Sequence, residues 1–239
     1  MIEIRKVSKQ FGCTRAVKAV SLHLEPSETL TLIGPSGSGK TTLLNLIAGL
    51  EKPDKGTIII NEQKASANGK IYIQPDRRKV GMIFQDLALW PHMKVIENIT
   101  FGLKNLGMKK AQRHEKTDAI ARQVEITHIL ERYPNALSGG EKQRAALARA
   151  LVTEPEILLM DEPLSNLDTV LKKDLLTLII KLTGQRLTTL IYVTHNRDEA
   201  LAIPGKKAVM SAGELIQSGT ADELRNNPKH DFVKRFIRG

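Results

Sequence analysis

Residues 29–48 most constrain the fold. An apolar run, Thr29-Leu30-Thr31-Leu32-Ile33, leads into Gly34-Pro35-Ser36-Gly37-Ser38-Gly39-Lys40-Thr41. A helical pattern follows, Thr42-Leu43-Leu44-Asn45-Leu46-Ile47-Ala48. The octapeptide satisfies G-x-x-x-x-G-K-[ST] at every fixed position, in the strand–loop–helix context that this pattern requires. Its glycines permit backbone conformations that turn several N–H groups inward. Those groups and the following helix N-terminus make a cradle for phosphate oxygens. Lys40 is expected at the β- and γ-phosphates of a nucleotide, and the Thr41 hydroxyl on Mg²⁺.

Such a loop needs a parallel sheet around it, and the rest of the chain supplies one. Leu30–Ile33, Val80–Phe84, Ile157–Met160 and Leu190–Val193 are short apolar runs that read as buried strands. Each is followed by a chemically useful polar group: Gly34 and its loop, Gln85, Asp161-Glu162, and Thr194-His195. In open α/β sheets ligands sit at the carboxyl ends of the strands, so these groups are expected to converge. Residues from Asp86 to about Leu151 look helical, with a charged stretch at Lys109–Gln123 and a break at Pro134-Asn135. The N-terminus opens as an amphipathic strand. A hairpin is expected about Ala212-Gly213, a capping box at Thr220–Glu223 and a terminal helix over Asp231–Ile237.

Two acids at the end of an apolar strand need a partner. Mg²⁺ held by Asp161 supplies one, which leaves Glu162 to orient or deprotonate an attacking water. His195, at a neighbouring strand end, is placed for a γ-phosphate contact, although a lone histidine is more often structural. Leu137-Ser138-Gly139-Gly140-Glu141 opens the helix Lys142–Val152, with Ser138 as N-cap and Glu141 in the first turn. The bland reading is a capped helix. Yet paired glycines cost conformational entropy unless the backbone must be approached closely. A second anion site beside one phosphate loop makes sense if it serves the nucleotide of another copy.

Composition narrows the class. The 239 residues are 41% hydrophobic and 26% charged, as in a globular protein large enough to bury a core. A single cysteine, Cys13, excludes an internal disulfide framework. With no run of roughly 18 apolar residues and no leader pattern, the chain is expected to stay in the cytoplasm. The net charge is +10, but Lys and Arg are scattered and aromatics are only 4%. That favours a solvated lysine-rich surface, with Arg77-Arg78-Lys79 a short cluster in it, over specific nucleic-acid binding.

Taken together and in order, these motifs resemble the ATP-binding cassette subunit of ABC transporters, over nearly the whole chain. GPSGSGKTT (34–42) matches Walker A, Gln85 the Q-loop, LSGGE (137–141) the signature, ILLMDE (157–162) Walker B, Ser165-Asn166-Leu167-Asp168 the D-loop and His195 the switch histidine. The resemblance implies an α/β P-loop NTPase fold: a RecA-like, mainly parallel core with an N-terminal antiparallel β subdomain and an inserted helical subdomain. Residues 1–86 and 152–239 would form the core and 87–151 the helical subdomain. It implies ATP and Mg²⁺ as ligands. The nucleotide would be held by Phe11, stacked on adenine, by Gly34, Pro35, Ser36, Gly37, Ser38, Gly39, Lys40, Thr41 and Thr42, and by Gln85. Thr41, Gln85 and Asp161 would serve the metal, and Glu162 and His195 the chemistry. It further implies a head-to-tail dimer with a second copy, each ATP lying between one chain's phosphate loop and the other's Leu137–Glu141. Tyrosine is commoner at the position of Phe11, and Glu141-Lys142-Gln143-Arg144 departs mildly from the glutamine-rich family form.

Ala88-Leu89-Trp90-Pro91-His92-Met93 is apolar and follows Gln85. It reads either as packing within the helical lobe or as a groove for a helix of a membrane partner. In the family, this region receives permease subunits, and LWPHMKVIENI is similar to bacterial importer ATPases. The resemblance thus implies a peripheral protein on the inner face of the membrane, working with a permease and a solute-binding protein. Many such ATPases carry a C-terminal regulatory domain; with the chain ending at Gly239, none is expected. An exporter or lipoprotein-release ATPase shares the same core and stays open as an alternative. A nucleic-acid-associated ATPase is a more distant one, without coiled-coil arms or a second cassette to support it.

Overall fold

The computed structural model describes residues 1–238. Strand β1 (Ile2–Phe11) forms a hairpin with β2 (Thr14–Leu24) and pairs on its other side with β4 (Lys55–Ile60). β5 (Gln63–Ala67) and β6 (Lys70–Ile71) extend this antiparallel sheet. The alternation of β1 is broken by a bulge at Lys6, where φ is 48° and the pairing shifts register. The bulge moves the buried phase from Ile2 and Ile4 to Val7 and Lys9.

The second sheet runs in the order β11-β10-β3-β9-β8-β7. Here β3 is Thr29–Ile33, β7 Val80–Ile83, β8 Ile157–Asp161, β9 Thr189–Thr194, β10 Lys206–Ser211 and β11 Glu214–Gly219. From β10 to β7 every neighbour is parallel, and β11 returns antiparallel as the expected hairpin. The apolar runs fit because these strands are covered on both faces. In β8, Ile157 and Leu159 face one core with Leu43, Leu46 and Ile47 of helix α1 (Lys40–Ala48). Leu158 and Met160 face the other, with the helices described next. Helix α1 thus packs in the core shared by the two sheets.

Between β7 and β8 the chain forms α2 (Val95–Asn105), α3 (Lys110–Gln123) and α4 (Gly139–Leu151). The break at Pro134-Asn135 is a short 3₁₀ turn, Pro134–Ala136. These helices have no separate core: Ile99, Leu103, Ile120 and Leu147 cluster with β8, β9 and α5 (Thr169–Gln185). Helix α6 (Arg197–Ala202) joins β9 to β10, and α7 (Ala221–Asn226) and α8 (Asp231–Arg238) follow β11. The Thr220–Glu223 capping box is present at α7.

Two local expectations are adjusted. Helix α4 begins at Gly139, so both glycines lie inside its first turn. The Arg77-Arg78-Lys79 cluster is not a uniform solvated patch. Arg77 is exposed and Lys79 pairs with Glu156, but Arg78 is 2% exposed. Its guanidinium donates to the carbonyls of Leu46, Ile47, Ile73 and Ala65 and to Ser66 Oγ, closing the C-terminal end of α1 onto β5. Burial lowers its pKa to about 10, an internal site that no charge count reveals.

Candidate functional site

Parallel register aligns the strand ends. Ile33 pairs with Thr194, Asp161 with Val193 and Ile83 with Met160. The phosphate loop, the Asp161-Glu162 pair and His195 therefore emerge at one edge, as expected for an open α/β sheet.

The loop itself is built on glycine. Gly37 and Gly39 have φ of 76° and 98°, which an L-residue adopts only under strain. A Cβ on Gly39 would also lie 2.1 Å from the Ala16 carbonyl oxygen, so β2 lies directly over the loop. The β10–β11 turn closes the other side through Gly213 N to Ser38 O at 3.1 Å and Lys18 N to Gly213 O at 2.8 Å. Lys40 is buried, its ammonium donating to Gly34 O and Pro35 O at 2.9 Å each and to Ser38 Oγ at 3.3 Å. Desolvation lowers its pKa, and the charges of Glu162 and Asp161 oppose that shift.

Asp161 ends β8 at 4% exposure. Its Oδ1 accepts the Thr41 hydroxyl at 3.1 Å. Burial raises its pKa; the Thr41 bond and Lys40 pull it down, and Glu162 pushes it up. Two carboxylates thus face one ammonium, an imbalance that a hard cation on Thr41 and Asp161 oxygens would correct. Those donors fit Mg²⁺, which takes oxygen ligands and few protein groups. Glu162 turns out of the strand with φ 45°, anchored by its N–H to Val193 O at 3.0 Å. Its Oε2 lies 2.8 Å from His195 Nδ1, so the two strand-end groups are in direct contact.

The other expected residues form two further groups. Gln85 lines a cleft of about 170 Å³ with Asp86, Gly139, Lys142, Gln143 and Ser165–Leu167. Leu137 is buried, and Ser138 Oγ accepts from Glu141 N while Glu141 Oε2 accepts from Ser138 N, a complete capping box. Hydrogen bonding to the carboxyl from the Ser138 N–H, and then from the Ser138 hydroxyl, holds Glu141 below its ordinary pKa. Neither signature glycine has positive φ. A Cβ at Gly140 would lie 2.8 Å from Leu171 Cδ2, and one at Gly139 3.2 Å from Leu167 Cδ2. The glycine pair therefore also serves close packing within the chain. Asp168 caps α5 through Val170 N and Leu171 N. Phe11 is 46% exposed at the tip of β1, one face covered by Lys9 Nζ at 4.9 Å from the ring centre.

Sequence reasoning missed the residues that hold the loop after Gln85. Leu87 and Ala88 have φ of 62° and 45°, and their carbonyls accept from Arg149 on α4 at 2.7 and 2.5 Å. Arg149 also lies over the Trp90 ring, 5.1 Å from its centre. Asn98, fully buried, bonds Trp90 N and the carbonyls of Trp90, Met93 and Lys94. A polar residue on the apolar stripe of Val95, Ile99 and Leu103 was the available signal. Trp90 packs on Phe101, which is itself 37% exposed, so the segment is both packed and partly open to solvent.

The ABC transporter family model matches residues 17–165. A maltose/maltodextrin import ATP-binding protein of Mannheimia succiniciproducens is 41% identical over 99% of this chain and 62% of its own length. An Fe(3+) ions import ATP-binding protein of Agrobacterium fabrum is 42% identical, with 99% and 65% covered. A spermidine/putrescine import ATP-binding protein of Roseobacter denitrificans is 44% identical, with 99% and 64% covered. The chain thus spans under two thirds of the length of these relatives. Among solved structures, a dimeric ATP-binding cassette in a post-hydrolysis state, bound to ADP and Pi, superposes with a TM-score of 0.83. It is 30% identical, over 92% of this chain and 98% of that one. From its phosphate loop to its strand-end acids, and across the whole superposed cassette, this chain belongs to the ABC transporter family.

Proposed function

We propose that the chain binds Mg-ATP and hydrolyses it to ADP and phosphate, driving import of a solute through separate permease subunits. The observation that carries this is the meeting of Lys40, the Thr41–Asp161 pair and the Glu162–His195 pair at the carboxyl edge of one parallel sheet. Loop N–H groups and Lys40 bind the polyphosphate. Thr41 and Asp161 would hold Mg²⁺, with Gln85 joining them as the nucleotide binds; the ion would neutralise phosphate charge. Glu162 orients the attacking water and accepts its proton. His195, across 2.8 Å, fixes the Glu162 carboxylate and meets the γ-phosphate.

The segment Leu137–Glu141 is taken to close over the nucleotide of a second copy, with 87–151 as the lobe that carries it. ATP favours the closed dimer because the γ-phosphate gains contacts only there. Import is favoured over export because the three relatives named above are import subunits. Among the described residues no helix is long and apolar enough to cross a membrane. That fits a peripheral subunit on the inner face, with a solute-binding protein completing the system.

The test is ATP hydrolysis across protein concentrations, wild type beside Glu162→Gln. Specific activity rising with concentration, and loss of turnover with an ATP-dependent dimer in the variant, are the expected results. Turnover per chain that is flat with concentration, or unaffected in the variant, overturns the reading.

A further inference from the structure

Behind His195 lies a buried polar cluster that the chemistry above does not use. Glu199, on α6, is 6% exposed. Its Oε2 accepts from Tyr192 Oη at 3.0 Å and from Thr194 Oγ1 at 2.8 Å. Its Oε1 lies 3.6 Å from Lys172 Nζ. Tyr192 is fully buried; burial and then the charge of Glu199 push its hydroxyl well above the ordinary pKa, so it stays a donor. Thr194 Oγ1 also accepts from Asn196 N at 2.9 Å, and Asn196 Oδ1 accepts from Glu199 N at 3.0 Å. The residues on both sides of His195 are thereby tied to Glu199.

Capping α6 does not require this. The Asn196 side chain already meets the helix N-terminus, and a buried carboxylate is a costly way to fill space. The second carboxylate oxygen explains the arrangement. Lys172 belongs to α5, which starts from the cap Asp168, a few residues after Glu162. The Lys172–Glu199 pair thus joins the segment that follows Glu162 to the segment that carries His195.

We propose that Glu199 and Lys172 are positioning residues for hydrolysis, holding the His195 turn at its working distance from Glu162. This rests on the ATPase reading given above. Any movement of the Ser165–Asp168 segment would reach His195 through α5 and this ion pair.

The test uses Glu199→Gln and Lys172→Met in the full chain. Gln keeps an acceptor for Thr194 and removes the charge facing Lys172. Each variant is expected to lose about tenfold or more in kcat while the Kd for a fluorescent ATP analogue changes less than about twofold, and the double variant to be no worse than either single. The ring resonance of His195, assigned by its loss in His195→Ala, should shift in both single variants without nucleotide. Turnover within about twofold of wild type in both singles overturns the proposal. So does lost turnover with the His195 resonance unmoved, because the pair would then act elsewhere. Should Glu199→Gln melt early, Lys172→Met carries the same test from a side chain 22% exposed. Absence of hydrolysis in wild type would sink the ATPase reading instead, and the His195 resonance would still report on positioning.

Discussion

Lys207 shows how far a residue's surroundings can depart from its type. Its side chain is buried, with no carboxylate paired to it among the described residues, and Nζ donates to the carbonyls of Ile203 and Gly205 just past α6. Desolvation lowers its pKa to about 8 from 10.5. A neutral amine keeps both donor bonds and avoids the cost of a buried charge. Between about pH 8 and 10.5 the unfolded chain holds a proton at this position that the folded chain has released. Stability from this group therefore rises with pH across that window, by up to about 3 kcal/mol. Below pH 8 the cost of charging it is fully present. Urea unfolding of wild type and Lys207→Met at pH 7.5 and 9.5 is expected to show the difference between them shifting toward wild type at the higher pH. An unchanged difference means Lys207 reaches water in the folded chain.

At the scale of elements, the loop between β7 and α2 depends on side chains from two helices. Asn98→Ala removes four hydrogen bonds to Trp90, Met93 and Lys94 and leaves their backbone groups without that partner. About 2–4 kcal/mol of stability should be lost in urea unfolding, with faster hydrogen exchange confined first to residues 87–94. Loss spread evenly over the molecule would mean that the loop is held otherwise. The strands around this loop were legible because a run buried on both faces leaves four apolar residues in succession, as in Leu158 to Met160 with Ile157. The site was legible because its residues follow those runs directly. What could not be read was tertiary: that Arg78 turns inward, that Gly140 makes room for Leu171, and that Glu199 reaches back to Lys172. Each depends on contacts between residues 27 to 32 positions apart, for which a single sequence carries no periodic signal. The lining that Gln85 shares with the α4 start and the Ser165 segment is tertiary in the same way.

At the scale of the whole molecule, the capped start of α4 at Ser138 is exposed and needs nothing more from its own chain. Ser138→Arg places a long cation where a second copy would meet it. Hydrolysis is expected to fall to background, while equilibrium binding of a fluorescent ATP analogue to the monomer stays within about twofold of wild type. Loss of binding in that variant would make the segment part of its own chain's site.

The contact between Gly39 and the Ala16 carbonyl has a bearing on selectivity. Strand β2 rests on the phosphate loop without space for one carbon atom, and β1 ends at Phe11 in the same hairpin. On the reading that Phe11 stacks on the base, the two ends of a bound nucleotide would be held by jaws of one caliper, both carried by the same hairpin. Ligands would be graded by the length from base to terminal phosphate as much as by the chemistry at either end. A polyphosphate without a base, or a base without its phosphates, would engage one jaw and leave the gauge unfilled.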